Sequence, residues 1–426
     1  MDPLSIYKRV DSENSVLLHS SRNDSKERYS IIAFDPFLVY ESKKNENPFE
    51  QLKKLLTEHK ATKRSNNSIF DGIAIGYFGY GSVYFIEQLP RNAIDDLRIP
   101  NAKFAFYKDY FIFDHSTNKL ILVGDKNKLN KALERKPKQI PNSGKTEKPK
   151  SNFTKQDYCK AVEKVKEYIK SGDTFQVNIS QRFETETTID PLFVYEKLSK
   201  INPSNFGAYL NFGDLGLLSS SPERLVKLTN GKAWTRPIAG TRPRGRTKEE
   251  DQALEKELKT NEKELAEHTM LVDLERNDLG KVCEYGTVKV DEIMTIERYS
   301  HVMHLVSEVS GQLRKDRTNV DLLKAMFPGG TITGCPKVRT MEITDEIEPT
   351  QRGPYTGAIG YFSLSGDMDF NMTIRTILMK GKKVYLQVGG GIVYDSVPEK
   401  EYDETIHKAN AMFKALGIAE DEATKK

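Results

Sequence analysis

Apolar positions along this chain change period several times, and each change marks an element. SVLLHS (15–20), RYSIIAF (28–34) and FAFYKDYFIF (104–113) are short apolar runs rich in β-forming residues, which predict strands. GIAIGYFGYGSVYF (72–85) is apolar and glycine-rich, so backbones must pack closely there. After Thr154, a candidate N-cap, Tyr158, Ala161, Val162, Val165, Tyr168 and Ile169 recur at helical spacing until Gly172 stops the run. In TFQVNISQRF (174–183) the period becomes two. Phe175, Val177 and Ile179 alternate with Gln176, Asn178 and Ser180, which predicts a half-buried strand whose polar face can line a pocket. Residues 248–280 predict one charged helix that turns apolar at MLVDL (270–274), its acidic N-terminal part facing solvent. The C-terminal pattern reads strand (TGAIGYFSL), strand (FNMTIRTILM), strand (KVYLQVGGGIVYD) and helix (KEYDETIHKANAMFKAL). With Gly389 to Gly391 read as a turn, these antiparallel strands followed by a helix predict an α+β fold.

Between the two patterned regions lies RKPKQIPNSGKTEKPKSN (135–152), polar and without apolar periodicity. It is expected to be an exposed linker joining an N-terminal region (1–134) to a larger catalytic region (153–420), with a short tail at 421–426. No internal repeat is visible.

Composition narrows the classes. The 426 residues are 37% apolar and 30% charged, as in globular proteins, and suit one large domain or two. A formal charge of +4 gives no nucleic-acid footprint. Cys159, Cys283 and Cys335 are odd in number and far apart, with neither metal nor disulfide spacing, so a reducing cytoplasm is the expected compartment. MDPLSIYKRVDSENS lacks a signal-peptide core, and no apolar run is long enough for a membrane span.

Several constellations carry chemistry. Glu264/Glu267 and Glu401/Glu404 are carboxylate pairs at i, i+3, each on one helix face, with Lys408 continuing the second face. Two such pairs can hold one magnesium ion, which takes oxygen ligands; taken singly, such pairs are also common on exposed helices. Glu223 in SSSPERL is either a buried general acid or a surface-turn glutamate. In RPIAGTRPRG, Gly240 and Thr241 offer an amide and a hydroxyl to a carboxylate, while Arg242, Arg244 and Arg246 read as a basic loop or as anion clamps. FPGGTITGCPKVR (327–339) is a small-residue segment opening a helix whose free N–H groups attract an anion. It lacks Walker spacing, and Cys335 in it reads as a packing residue. His301 and His304 in YSHVMH have no HExxH context and read as pocket or core histidines. Arg375, inside the apolar TIRT strand, needs a partner: a substrate carboxylate or a structural glutamate.

PIAGTRPRG, KELAEHTMLVDLERNDLG, YSHVMHLVS, FPGGTITGCPK, GPYTGAIGY, TIRT, GGGIVYDS and EYDETIHKA occur in that order between about residues 155 and 417. Together they closely resemble the chorismate-utilising enzymes, the family of anthranilate synthase component I and aminodeoxychorismate synthase component I. Residues 1–134 resemble that family's N-terminal region more loosely. The resemblance implies an α+β fold in which two antiparallel β-sheets sandwich helices, with the active site in the cleft.

The resemblance also implies roles. Glu267 and Glu404 match direct Mg2+ ligands, and Glu264 and Glu401 reach the metal directly or through water. Gly240, Thr241, Thr331, Tyr355, Arg375, Gly389, Gly390, Gly391 and Lys408 match positions that hold chorismate. His304 matches the histidine near the ring, and Glu223 the acid that helps expel the C4 hydroxyl. Gln176 stands where water-using relatives carry a lysine base. Glutamine cannot take a proton at neutral pH, so ammonia is the expected nucleophile, supplied by a separate glutamine amidotransferase subunit. The expected product is 4-amino-4-deoxychorismate, because QVNISQRF and GDMDFNMTIRT look more like aminodeoxychorismate synthases. LLHS (17–20) also stands where anthranilate synthases usually read LLES, at their tryptophan site. Ala239 in PIAGT fits the alternative, anthranilate formation with loss of pyruvate.

Overall fold

The computed structural model describes residues 2–21, 28–62, 68–298 and 302–419. His301 and the 421–426 tail lie outside them. Most β-structure is collected in two antiparallel sheets, one of 11 strands and one of 10. Chain segments on both sides of residues 135–152 build both sheets. Ser15–His19 pairs with Phe206–Phe212 in the first, and Ile73–Phe78 pairs with Ala358–Ser363 in the second. The intervening stretch is pinned by Lys150–Ser151, which pairs with Glu184 and Phe183.

Alternation along the strands explains the layering. In Ser15–His19, Val16 joins an apolar cluster shared by both sheets, while Leu17 points the other way into a cluster with helices Pro3–Val10, Pro191–Ile201 and Pro398–Ala415. Ile31 and Ile32 divide in the same way. A strand covered on both faces reads as a continuous apolar run, which is why these segments show little polar alternation. The sheets therefore face each other in this half of the molecule, and helices cover the outer faces. Helices Pro48–Glu58 and Asn319–Met326 pack with the 10-stranded sheet in the same manner. Among the described residues no helix is long and apolar enough to cross a membrane.

The expected helix after Thr154 runs Lys155–Lys170, with the Thr154 side chain accepting from the Asp157 amide. Five readings are corrected, that of Arg375 at the crossings below. FAFYKDYFIF is two strands, Ala102–Tyr107 and Tyr110–Asp114, in different sheets. Residues 248–280 form two helices, Lys248–Thr260 and Glu262–Gly280, because Asn261 leaves helical geometry and caps the second by accepting from the Glu264 amide. Strand Gln176–Glu186 is buried on both faces, and Phe175 before it is 69% exposed. Gly389 to Gly391 are no turn: they end strand Lys383–Ile392 and pair with Ser180, Ile179 and Asn178.

Two crossings between the sheets shape the cleft. The chain leaves the 11-stranded sheet at Ser221 and enters the 10-stranded sheet at Arg224. It returns between Met372 and Thr376. Arg375 is thus not within a strand; it sits in the return crossing with φ of 52°.

Candidate active site

The site assembles where these crossings meet the glycine strand and two helices. Gly390 lies beneath helix Pro398–Ala415, and a Cβ on it would stand 3.4 Å from Glu401 Oε2 and 3.8 Å from Glu404 Oε1. Gly389 is tighter still, with Ile179 O, Asn178 Oδ1 and the Tyr355 hydroxyl all within 2.8 Å of such a Cβ. At Gly391 the Gln176 amide nitrogen occupies that space, at 2.2 Å. None of the three has positive φ. Glycine is required here by close approach, not by backbone geometry. Lys408 spans the strand and the helix, donating to Gly389 O at 3.0 Å and pairing with Glu404 at 2.6 Å.

The opposite wall is helix Glu262–Gly280. The two carboxylate pairs do face each other: burial, then Glu264, Glu401 and Glu404 raise the Glu267 pKa, while Lys263 opposes them. Burial likewise raises Glu401, with Glu404 adding and Ser396, Lys408 and Lys263 opposing. Glu264 lies against Gly240, whose φ of +66° and absent side chain leave room for it at 3.0 Å. Among the described residues no three His, Cys, Asp or Glu side chains are gathered closely enough to hold a metal ion as they stand. Internal cations share the carboxylates instead: Arg242 on Glu264 at 3.0 Å, Lys263 on Glu267 at 3.8 Å and Lys408 on Glu404. The donor set, four carboxylates from two facing helices, is the hard oxygen chemistry that magnesium takes.

Gly240 also forms the bulge of strand Ile238–Pro243. Ala239 opposes Leu305, Thr241 opposes His304, and Gly240 is left out of register. The bulge turns Thr241 toward His304, whose Nδ1 is 2.9 Å from its hydroxyl. Arg242 and Arg244 are held in ion pairs with Glu257 and Asp251, so they are not free clamps.

Glu223 occupies the first crossing and is 7% exposed, which removes the surface-turn alternative. Burial pushes its carboxyl up to about 8; the Ile238 amide, at 3.4 Å, and the Thr331 hydroxyl pull the other way, and Glu275 pushes further up. Thr331 also lies 3.3 Å from Met372 Sδ, but a thioether is the weaker acceptor, so the single hydroxyl proton favours a carboxyl oxygen of Glu223. Arg375 in the second crossing is half-buried. Its guanidinium makes no hydrogen bond or ion pair among the described residues. Burial opposes its charge, while Tyr355 and Glu404 favour it. A half-buried cation with no hydrogen-bonded partner among the described residues suits an anionic ligand.

Sequence reasoning missed three supporting residues. Arg352 is buried against Glu348 at 2.8 Å, donates to Asn178 O, Ile332 O and Thr356 Oγ1, and lies over the Tyr355 ring. It thereby ties the strand behind Gly391 to the turn carrying Thr331 and the loop carrying Tyr355. Glu275 is a second buried acid beside the first. The only sequence signal for Glu275 is an acid just past the apolar end of MLVDL, and the same pattern occurs at exposed helix ends.

Apart from this cleft, a cavity of about 160 Å³ opens at the LLHS segment, lined by His19, Asn205, Lys227, Asp369 and Asn371 among others. None of the four glutamates lines it. Burial brings His19 down to about 4, so it is neutral, and its Nδ1 is 3.2 Å from the Tyr195 hydroxyl.

Residues 14–414 match the family described as chorismate binding enzyme. Anthranilate synthase component 1 of Acetivibrio thermocellus is 44% identical, over 97% of this chain and 92% of that one. Aminodeoxychorismate synthase component 1 of Bacillus subtilis (strain 168) is 43% identical, over 96% and 93%. The crystal structure of anthranilate synthase component I from Streptococcus pneumoniae TIGR4 superposes with a TM-score of 0.82 at 35% identity, covering 97% of each chain. The chain belongs to the chorismate-binding enzyme family. Within it, this is a chorismate-utilising enzyme of the anthranilate synthase and aminodeoxychorismate synthase component I group.

Proposed function

We propose that this enzyme aminates chorismate with ammonia to form 4-amino-4-deoxychorismate. One observation carries the reading: the two glutamate pairs face each other, one of them over Gly390, beside the buried acid Glu223 and an Arg375 whose guanidinium makes no hydrogen bond or ion pair among the described residues. Arg375, Tyr355, Thr241 and the amides of Gly389 to Gly391 would grip the substrate carboxylates. Magnesium held by Glu264, Glu267, Glu401 and Glu404 would supply positive charge at the ring carboxylate. Glu223, protonated at neutral pH, gives its proton to the departing C4 hydroxyl. His304, held by the Thr241 hydroxyl, would stand near the ring. Gln176, packed onto Gly391, offers no base for water, which leaves ammonia as nucleophile.

The ammonia would come from a glutamine amidotransferase subunit in the cytoplasm. The similar proteins carry the designation component 1, which supports a second component. Burial raises all three thiols here, Cys283 to about 11, so none suits a glutaminase nucleophile.

The neutral His19 in the LLHS cavity supports the aminodeoxychorismate product, because it offers no negative charge to an amino-acid ammonium group. The second reading, anthranilate formation, is favoured by the names of the relatives in Acetivibrio thermocellus and Streptococcus pneumoniae and by Ala239. The test is incubation with chorismate, ammonium and magnesium without a partner, followed by mass and fluorescence. The expected product is non-fluorescent and becomes aromatic only after a lyase is added. Direct anthranilate fluorescence establishes the second reading; isochorismate, or no product, overturns both.

A further inference from the structure

Glu275 is a buried acid that the proposed chemistry leaves without a task. It is 2% exposed, and its Oε2 has no hydrogen-bond partner among the described residues. The hydrogen-bonding groups nearest its carboxyl are the Thr235 hydroxyl and the Gly330 amide. Helix Glu262–Gly280 presses onto the turn Gly330–Ile332 so closely that a Cβ on Gly330 would meet Leu274 Cδ2 at 2.5 Å and Glu275 Oε1 at 3.4 Å. The next residue of that turn, Thr331, reaches the carboxyl of Glu223. Two buried carboxyls thus meet one two-residue step, Glu275 at Gly330 and Glu223 at Thr331.

We propose that Glu275 is a positioning residue of this reaction, whose carboxyl, across the Gly330–Thr331 step, keeps the proton on Glu223 until the leaving hydroxyl takes it. The inference rests on the amination reading. Two buried carboxyls in one another's field cannot both ionise cheaply, so one retains its proton. The surroundings decide which one. Burial, first of all, pushes the Glu275 carboxyl up to about 7, still below that of Glu223; Asp278 on the same helix repels its charge, and Lys337 from helix Lys337–Ile347 attracts it. Lys337 in turn is bound to Asp278 and to Pro328 O. Glu223 has no cation among the groups that act on it. The charge therefore settles on Glu275, the side with the lysine, and the proton stays on Glu223. In the reaction the ring C–O bond breaks as a C–N bond forms. The Glu223 proton leaves with the hydroxyl as water, and the ammonia nitrogen releases one proton in exchange.

The test compares kcat/KM for chorismate against pH, with ammonium as nucleophile, in the wild type, Glu275→Gln, Glu275→Asp and Glu223→Gln. Infrared carboxyl titrations of the same substrate-free proteins supply a readout independent of activity. Removing the neighbouring charge in Glu275→Gln is expected to move the alkaline limb, and the highest carboxyl titration, down by about one unit. Activity well below the limb is retained, and Glu275→Asp keeps the wild-type limb. A Glu275→Gln profile that overlays the wild type, or that falls equally at every pH, overturns the proposal while Glu223→Gln is inactive. A fully active Glu223→Gln overturns the amination reading itself, and the proposal with it.

Discussion

The main-chain carbonyl of Glu223 accepts a hydrogen bond from the Met372 amide at 3.1 Å. The Ser221 hydroxyl donates back to Met372 O at 2.6 Å, and the Ser220 amide donates to Arg375 O at 3.1 Å. These bonds tie the two crossings between the sheets side by side. A strand that leaves its sheet frees its side chains from the pleat, so an acid and a cation can enter the same cleft from adjacent main-chain segments. Backbone pairing on either side, Leu218 with Ile377 and Arg224 with Asn371, fixes their relative position before any ligand arrives.

Glu223 gives the first prediction. Its carboxyl titrates near 8 instead of in the usual carboxylate range because it is buried. Activity that needs its proton should fall as pH rises through about 8. The folded state binds this proton more tightly than the unfolded one, so the group costs stability progressively from its ordinary pKa up to about 8. Glu223→Gln removes that dependence. It should melt higher than the wild type at alkaline pH while losing roughly 10²- to 10⁴-fold in kcat. Calorimetry against pH and steady-state rates check both halves.

The facing glutamates predict a trade of stability against function. Glu267 and Glu401 hold raised pKa values, so their charges also destabilise the metal-free fold above the ordinary carboxylate range. Glu267→Gln and Glu401→Gln should each raise the melting temperature of metal-free protein at pH 7.5. Both should weaken magnesium activation by at least about 10- to 100-fold. Magnesium titrations of activity, with melting curves in chelator, report the two effects separately. Full activity of either variant at low magnesium would remove these residues from the metal site.

How much of this was legible in the sequence differs residue by residue. The helix after Thr154 was readable because its cap and its apolar spacing are local. The i, i+3 carboxylate pairs were readable as pairs, but their meeting was not, since no local rule brings residue 267 to residue 404. Gly389 to Gly391 read as a turn because glycine's commonest local use is turning. Here the space is taken by the Tyr355 hydroxyl, Gln176 and Glu401, all non-local. Arg375 read as a strand residue because a chain that switches sheets keeps apolar residues on both sides of the switch. The break at Asn261 was hidden by the strong helix formers around it.

Those glycines can be told apart by experiment. The atoms nearest a methyl at Gly391 all belong to the Gln176 side chain, whose end can swing away. Gly391→Ala should fold with near-normal stability but displace Gln176 and raise KM for chorismate. A methyl at Gly389 meets the carbonyl of Ile179 at 2.6 Å, inside the paired strands. Gly389→Ala should therefore lose about 1–3 kcal/mol of stability, as overpacking does. Urea unfolding of the two variants, beside their chorismate kinetics, tests the contrast; equal destabilisation would show that the strand, not the ligand space, dictates both glycines.

Arg352 and Glu348 test whether the walls of the cleft are rigid in their own right. Both side chains are at most 3% exposed, so neither charge has water to fall back on. Glu348 Oε1 also accepts from the Ser180 amide and hydroxyl, and Gln387 Nε2 donates to that same hydroxyl. Removing only the arginine leaves a carboxylate buried without its cation, a change that costs about 3–5 kcal/mol. Arg352→Met should lose that much in urea unfolding. Arg352→Met with Glu348→Gln should recover much of the loss, because the uncompensated charge is gone. Function should not follow stability. Arg352 is the group that joins Asn178, Ile332 and the Tyr355 ring, so the stable double variant still lacks the tie between the strand, the turn and the tyrosine loop. Its KM for chorismate should remain raised. A double variant that regains both stability and wild-type KM would mean that the three segments hold their places without the arginine.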